Sequence, residues 1–157
     1  MSGVYPKENV DWVAVCATPL EPDVLTAWVT RPNCGAVVTF CGTARSSSST
    51  GHDITELQYE TSDEMALARL RDVVASARER WPELGAVAIQ HRVGSVLLEQ
   101  PAVVIAISSP HRQEAFEAAQ FCIDTVKKSV PMWKREVWLG GSAWSQEAHD
   151  IVDVRDA

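Results

Sequence analysis

Lysine is nearly missing from this 157-residue chain. Of its four lysines, Lys7 stands apart, and Lys127, Lys128 and Lys134 fall within one eight-residue stretch, KKSVPMWK. Elsewhere the positive charge is arginine. The two residues do different chemistry. Arginine stays protonated and grips anions through a planar fork, whereas a desolvated lysine can lose its proton and serve as base, acid or nucleophile. A lysine cluster beside Pro131 and Trp133 therefore reads as a reactive amine site. The alternative is a solvated helix end, where the macrodipole favours cations.

Other absences narrow the field. No apolar run approaches the ~18 residues of a membrane span. The start, MSGVYPKENVDW, has neither the basic stretch nor the apolar core of a signal peptide, so the expected location is the cytoplasm. A net charge of −7 argues against nucleic acid or an anionic membrane as main partner, and any anion must be captured by a local basic pocket. Cys16, Cys34, Cys41 and Cys122 form no CxxC pair and read as reduced thiols. Cys16, Cys41 and Cys122 sit among apolar neighbours, which predicts buried packing rather than catalysis. The histidines are scattered without an i,i+4 ligand partner, so no metal site is expected. A Walker loop, a GxGxxG fingerprint and a nucleophile elbow are all missing, which argues against a nucleotide kinase, a dehydrogenase and a serine hydrolase. With no repeat and no linker, residues 1–157 read as one domain.

Periodicity gives the elements. Strands are predicted over Trp12–Ala17, Gly35–Cys41, Ile54–Glu60, Ala86–Val93 and the near-continuously apolar Ala102–Ser108, the last placed centrally. Short strands around Trp133–Trp138 and Ala143–Ser145 flank Gly140-Gly141. A first helix is predicted over Pro19–Thr30. A second opens on a capping box, Thr61 as N-cap with Glu64 at N3, and ends at Pro82. The third takes Ser109 as N-cap and Pro110 at N1, buries Phe116, Ala119, Ile123, Val126 and Val130, and stops at Pro131. Residues 46–53, with the run Ser46–Thr50, should form a mobile loop. The alternation of strands and amphipathic helices predicts an α+β sandwich.

Three constellations carry chemistry. His111 and Arg112 fall in the first turn of the third helix, where cations are unfavourable unless an anion compensates; this reads as a ligand site or as a local ion pair. Lys127 sits at the margin of the same helix's apolar stripe, so its stem should be buried and its amine only partly hydrated. Lys134 follows the helix-ending Pro131, where the returning chain can set two amines close together. Arg45, beyond Gly42 at a strand end beneath the serine loop, reads as an anion clamp or as a plain surface arginine. Fifteen residues separate Arg112 from Lys127, about 22 Å along a helix. Either there are two sites, or a second copy of the chain brings His111 and Arg112 to the Lys127 pocket, which predicts a symmetric homodimer.

Several stretches together resemble the large, catalytic subunits of molybdopterin synthase, the MoaE family. They are GAVVTFCGTAR (35–45), LQYE (57–60), HRVG (91–94), SPHR (109–112) with AFEA (115–118), then Asp124, Lys127 and PMWKRE (131–136). The resemblance covers residues 35–138 most strongly. It implies an α/β hammerhead-type fold with a small additional β lobe and a homodimeric core. It implies a small ubiquitin-like subunit at each end, giving a heterotetramer. The small subunit's C-terminal Gly-Gly thiocarboxylate would deliver sulfur to cyclic pyranopterin monophosphate, forming the dithiolene of molybdopterin without a resident cofactor. By position it implies Lys127 and Lys134 as catalytic and Arg45, His111, Arg112, Phe40 and Met132 as substrate-binding, with His111 and Arg112 reaching across the dimer. The serine run departs from the family's usual loop, Glu99-Gln100-Pro101 replaces a glycine-containing turn, and the match thins beyond Glu136, so no basic substrate residue is assigned in the tail, though His149 is available there. Two competing readings are a partner-binding paralogue without activity and a phosphate-ester-binding enzyme that works alone.

Overall fold

A computed structural model describes residues 5–48, 50–145 and 150–157. Among the described residues, eight strands form two four-stranded sheets. The first contains β1 (Asp11–Cys16), β2 (Ala36–Thr43), β4 (Val87–Arg92) and β6 (Pro101–Ser109), in the order β1-β4-β6-β2. Only the β1–β4 pairing is parallel. The second contains β3 (Ile54–Glu60), β5 (Gly94–Leu97), β7 (Trp133–Trp138) and β8 (Gly141–Trp144), antiparallel throughout in the order β5-β3-β7-β8. Helices α1 (Pro22–Val29), α2 (Asp63–Arg80) and α3 (Arg112–Ser129) complete the α+β architecture, and Val154–Asp156 adds a 3₁₀ turn.

Two-sided burial explains why β6 reads as an apolar run rather than an alternating strand, and why β4 begins as one. On one face, Val87, Ile89, Val103, Ile105 and Ile107 meet Leu70, Val73 and Val74 of α2 and Ala118, Cys122 and Val126 of α3. On the other face, Ala86, Ala88, Val104 and Ala106 pack against Leu25, Trp28 and Val29 of α1. The small residues on this second face let α1 approach closely. A third cluster of Ala44, Ile54, Leu57, Val96 and Ala102 lies where the two sheets meet.

Several local expectations are corrected. The N-cap of α2 is Ser62, and no capping box forms; the Thr61 hydroxyl instead donates to the carbonyl of Pro131, tying the entrance of α2 to the exit of α3. The N-cap of α3 is His111, because β6 runs on through Ser109 in register with Ala36 and so claims that residue for the ladder. Phe116 is 62% exposed. It lies about 100° round the helix from Ala115, beyond the edge of the buried stripe. Helix α1 starts only at Pro22, with Pro19 and Leu20 outside it, and β8 starts two residues before Ala143. Gly94 does not simply end a strand. Its φ of +83° turns the chain out of the first sheet and starts β5 in the second. Among the cysteines, Cys122 is buried, Cys16 is half-buried and Cys41 is exposed at the end of β2, which corrects the expectation for Cys41. Among the described residues, no helix is long and apolar enough to cross a membrane.

Candidate active site

The ends of both sheets and the last turns of α3 enclose a cleft of about 490 Å³. Arg45, Lys127, Met132 and Lys134 all line it, together with Tyr59, His91 and Glu136. Each comes from a different structural device. Arg45 follows the end of β2 at a clamped point: the Ala44 N–H donates to Gln100 O (3.0 Å), and Ala44 O accepts from the Glu99 N–H (2.9 Å). Lys127 lies in the final turn of α3, before the chain breaks at Pro131. Lys134 is the second residue of β7, opposite Tyr59 in the β3–β7 ladder, and its carbonyl accepts from the Ser145 N–H at 2.8 Å. Alternation along a strand puts Glu136 on the same face as Lys134. The Glu136 side chain is buried and accepts from the Thr50 hydroxyl at 3.2 Å.

The cleft's electrostatics are lopsided. Arg45 and Lys127 are exposed, and their side chains make no hydrogen bond or ion pair with any described residue. Two uncompensated cations facing one cleft, in a chain of net charge −7, form the local basic pocket that the composition required. The expected burial of the Lys127 stem is not realised within one chain: Val126 and Val130 of the same turn enter the main core, and Lys127 stands on the open side of the helix. A helix C-terminus and a cleft position coincide at Lys127, so the two readings of the lysine cluster are compatible there.

Not every anticipated residue reaches the cleft. Phe40 is half-buried against the main core and meets the cleft wall only through Gly42: a Cβ placed on Gly42 would lie 3.4 Å from Phe40 Cε1. His111 and Arg112 are exposed at the opposite end of α3, and their side chains bond to no described residue. The separation argued from helix length therefore holds within one chain. The serine loop folds back onto β7: the Ile54 N–H donates to Ser46 O at 2.8 Å, and the His52 ring stacks on Trp138 with centroids 3.9 Å apart. Ser49 of that loop, and His149 in the tail, lie outside the described residues.

No cysteine lines the cleft. Burial pushes the Cys122 thiol up to about 12, and Cys16 and Cys41 are also raised, Cys41 by its partial burial and then by the charge of Asp23. All three are poor thiolates. His91, in the HRVG stretch, carries no role in the sequence reading. Its signal in the sequence is a histidine at the polar end, Gln90-His91-Arg92, of a strand that begins apolar. It is buried, its Nδ1 lies 2.8 Å from Arg92 O, and Tyr59 meets its ring edge-on at 5.2 Å. Burial lowers its pKa from 6.5 to about 4, against a smaller raising effect of the backbone bond, so the ring is neutral near pH 7.

These features define a two-sheet α+β protein with a cationic, amine-bearing cleft. The sequence profile of the MoaE protein family matches residues 15–129. The molybdopterin synthase catalytic subunit of Taeniopygia guttata is 35% identical over 136 residues, 87% of each chain. The crystal structure of molybdopterin synthase from Staphylococcus aureus superposes with a TM-score of 0.79 at 33% identity, covering 85% of this chain and 96% of that one. A complex of subunits 1 and 2 of molybdopterin-converting factor from Helicobacter pylori shares the fold, with a TM-score of 0.71, 19% identity and coverage of 86% and 90%. The chain belongs to the MoaE family, the catalytic subunits of molybdopterin synthase, enzymes of molybdenum cofactor biosynthesis.

Proposed function

We propose that this chain transfers sulfur from the C-terminal thiocarboxylate of a small ubiquitin-like subunit to cyclic pyranopterin monophosphate, building the dithiolene of molybdopterin. The observation that carries the reading is the convergence of Arg45, Lys127 and Lys134 on one cleft, with the first two uncompensated. Each round breaks one acyl carbon–sulfur bond and one carbon–oxygen bond of the pterin side chain, forms one carbon–sulfur bond there, and returns the donor's terminus as a carboxylate whose new oxygen comes from water. Opening of the cyclic phosphate is one of the two carbon–oxygen cleavages. Those steps need a proton acceptor, a proton donor and neutralisation of phosphate charge. Lys127 and Lys134 supply the amines, and Arg45 takes the phosphate. Met132 and, through the Gly42 wall, Phe40 shape the apolar side. The three raised thiols and the cysteine-free cleft favour a donor that arrives from outside. The two-subunit composition of the Helicobacter pylori complex suggests what that donor is.

His111 and Arg112 enter from a second protomer in this reading, in a homodimer that carries two small subunits. Their distance from Lys127 along α3 supports this, as does the lack of any partner for their side chains among the described residues. The work would take place in the cytoplasm. The test is dithiolene formation from cyclic pyranopterin monophosphate and a thiocarboxylated small subunit. Lys127→Ala should lower turnover by about 100-fold or more, the scale of a lost acid–base group, while still binding the small subunit. No product from folded, partner-bound wild type would favour an inactive docking module. Unchanged turnover in the variant would shift the role to Lys134.

A further inference from the structure

The cleft holds a recognition problem that its cations cannot solve. Arg45, Lys127 and Lys134 are donors only. They suit a phosphate, but a pyranopterin ring also presents N–H groups, which need acceptors. Glu136 offers a carboxylate already engaged by Thr50, and the hydroxyl-bearing residues Thr43 and Ser47 are exposed. His91 is the buried, uncharged candidate. The carbonyl of Arg92 can only accept, so the hydrogen on the His91 side of that 2.8 Å contact sits on Nδ1. In the neutral ring Nε2 then carries the lone pair, and it bonds to no described residue. The ring cannot easily turn away, because Tyr59 abuts it edge-on and the β1–β4–β6 ladder holds its backbone between Val15 and Val103.

We propose that His91 is a substrate-orienting residue whose Nε2 accepts a hydrogen bond from an N–H of the pyranopterin ring, fixing the ring while the cations hold the phosphate. The inference rests on the sulfur-transfer reading of the same cleft. Neutrality is what suits His91 to this task. A protonated ring would be a fourth donor among Arg45, Lys127 and Lys134 and would repel the N–H it is meant to receive; its lowered pKa keeps that form scarce above pH 5. The backbone carbonyl of Arg92 as the Nδ1 partner favours the imidazolium by less than burial disfavours it, so the ring stays neutral.

The test uses the complex with the small subunit in its unthiolated form, so that binding is read without turnover. Titration with cyclic pyranopterin monophosphate should give a Kd raised about tenfold in His91→Leu, the effect of one buried hydrogen bond, and largely restored in His91→Gln, whose amide oxygen keeps an acceptor. With the thiocarboxylated donor, KM should rise more than kcat falls. Because His91→Leu can perturb the fold, the wild type supplies a second measurement: its His91 Nε2 nitrogen resonance should shift on saturation with the pterin while Nδ1 stays protonated. An Nε2 resonance unmoved by saturating ligand, or equal Kd values for wild type and folded His91→Leu, overturns the assignment while leaving sulfur transfer intact. Wild type that neither binds nor converts the pterin overturns both.

Discussion

At the scale of single residues, burial of a neutral histidine has a thermodynamic consequence that can be measured without substrate. The pKa of His91 is lowered from 6.5 to about 4 in the folded chain. Between those values the unfolded state binds a proton that the folded state refuses, so stability rises with pH across that window and is lost as pH falls through it. A shift of about 2.5 units corresponds to roughly 3 kcal/mol at most. The difference in unfolding free energy between wild type and His91→Leu should therefore change by up to about that amount from pH 7 to pH 4, read by chemical denaturation at each pH. A constant difference would show that the ring titrates normally. The same residue marks a limit of sequence reading. Lys127, Lys134 and Arg45 were legible because a scarce residue type or a strand-end position singled them out. His91 and Glu136 were not, because their importance comes from burial beside a cleft that forms only when β3, β4 and β7 converge.

At the scale of elements, the strand end at Gly42 sets the shape of the cleft. The register of β2 against β6 shifts between Gly42 and Thr43, and a side chain at Gly42 would meet Val103 Cγ1 at 2.8 Å. Gly42→Ala must push Val103 into the core or Phe40 aside, and overpacking of this kind costs about 1–3 kcal/mol. The variant should lose stability on that scale in urea denaturation and should also raise KM for the pterin, since Gly42 and Val103 both line the cleft. Full stability with unchanged KM would mean that the strand end is more pliable than its packing implies. Element types were largely readable because hydrophobic period carries them; boundaries were not. Ser109 has the chemistry of a cap, but its pairing opposite Ala36 overrides it, and Thr61 spends its hydroxyl on Pro131 rather than on its own helix. Long-range partners decide such ends, and local pattern does not contain them. The end of β4 at Gly94 follows the same rule: a glycine marks the break, but the sheet to which the chain then crosses is set by long-range pairing.

At the scale of the whole molecule, α3 is a spacer. Its eighteen residues hold Arg112 at one end and Lys127 near the other, about 22 Å apart, so the proposed site cannot close within one chain. If a second protomer completes it, damage at the two ends of α3 must complement. A Lys127→Ala chain keeps Arg112, and an Arg112→Ala chain keeps Lys127. In a mixed dimer one composite site receives both defects, and the other receives Lys127 from one chain and Arg112 from its partner. Random pairing of equal amounts makes half the dimers mixed and leaves one site in two intact within each. Unfolding and refolding the two inactive variants together should therefore recover roughly a quarter of wild-type activity, while each variant refolded alone stays inactive. No recovery, with dimers confirmed by light scattering, would confine each site to one chain. It would then separate the anion site at the start of α3 from the amine site at its end, and the cleft would have to bind phosphate through Arg45 and the lysines alone.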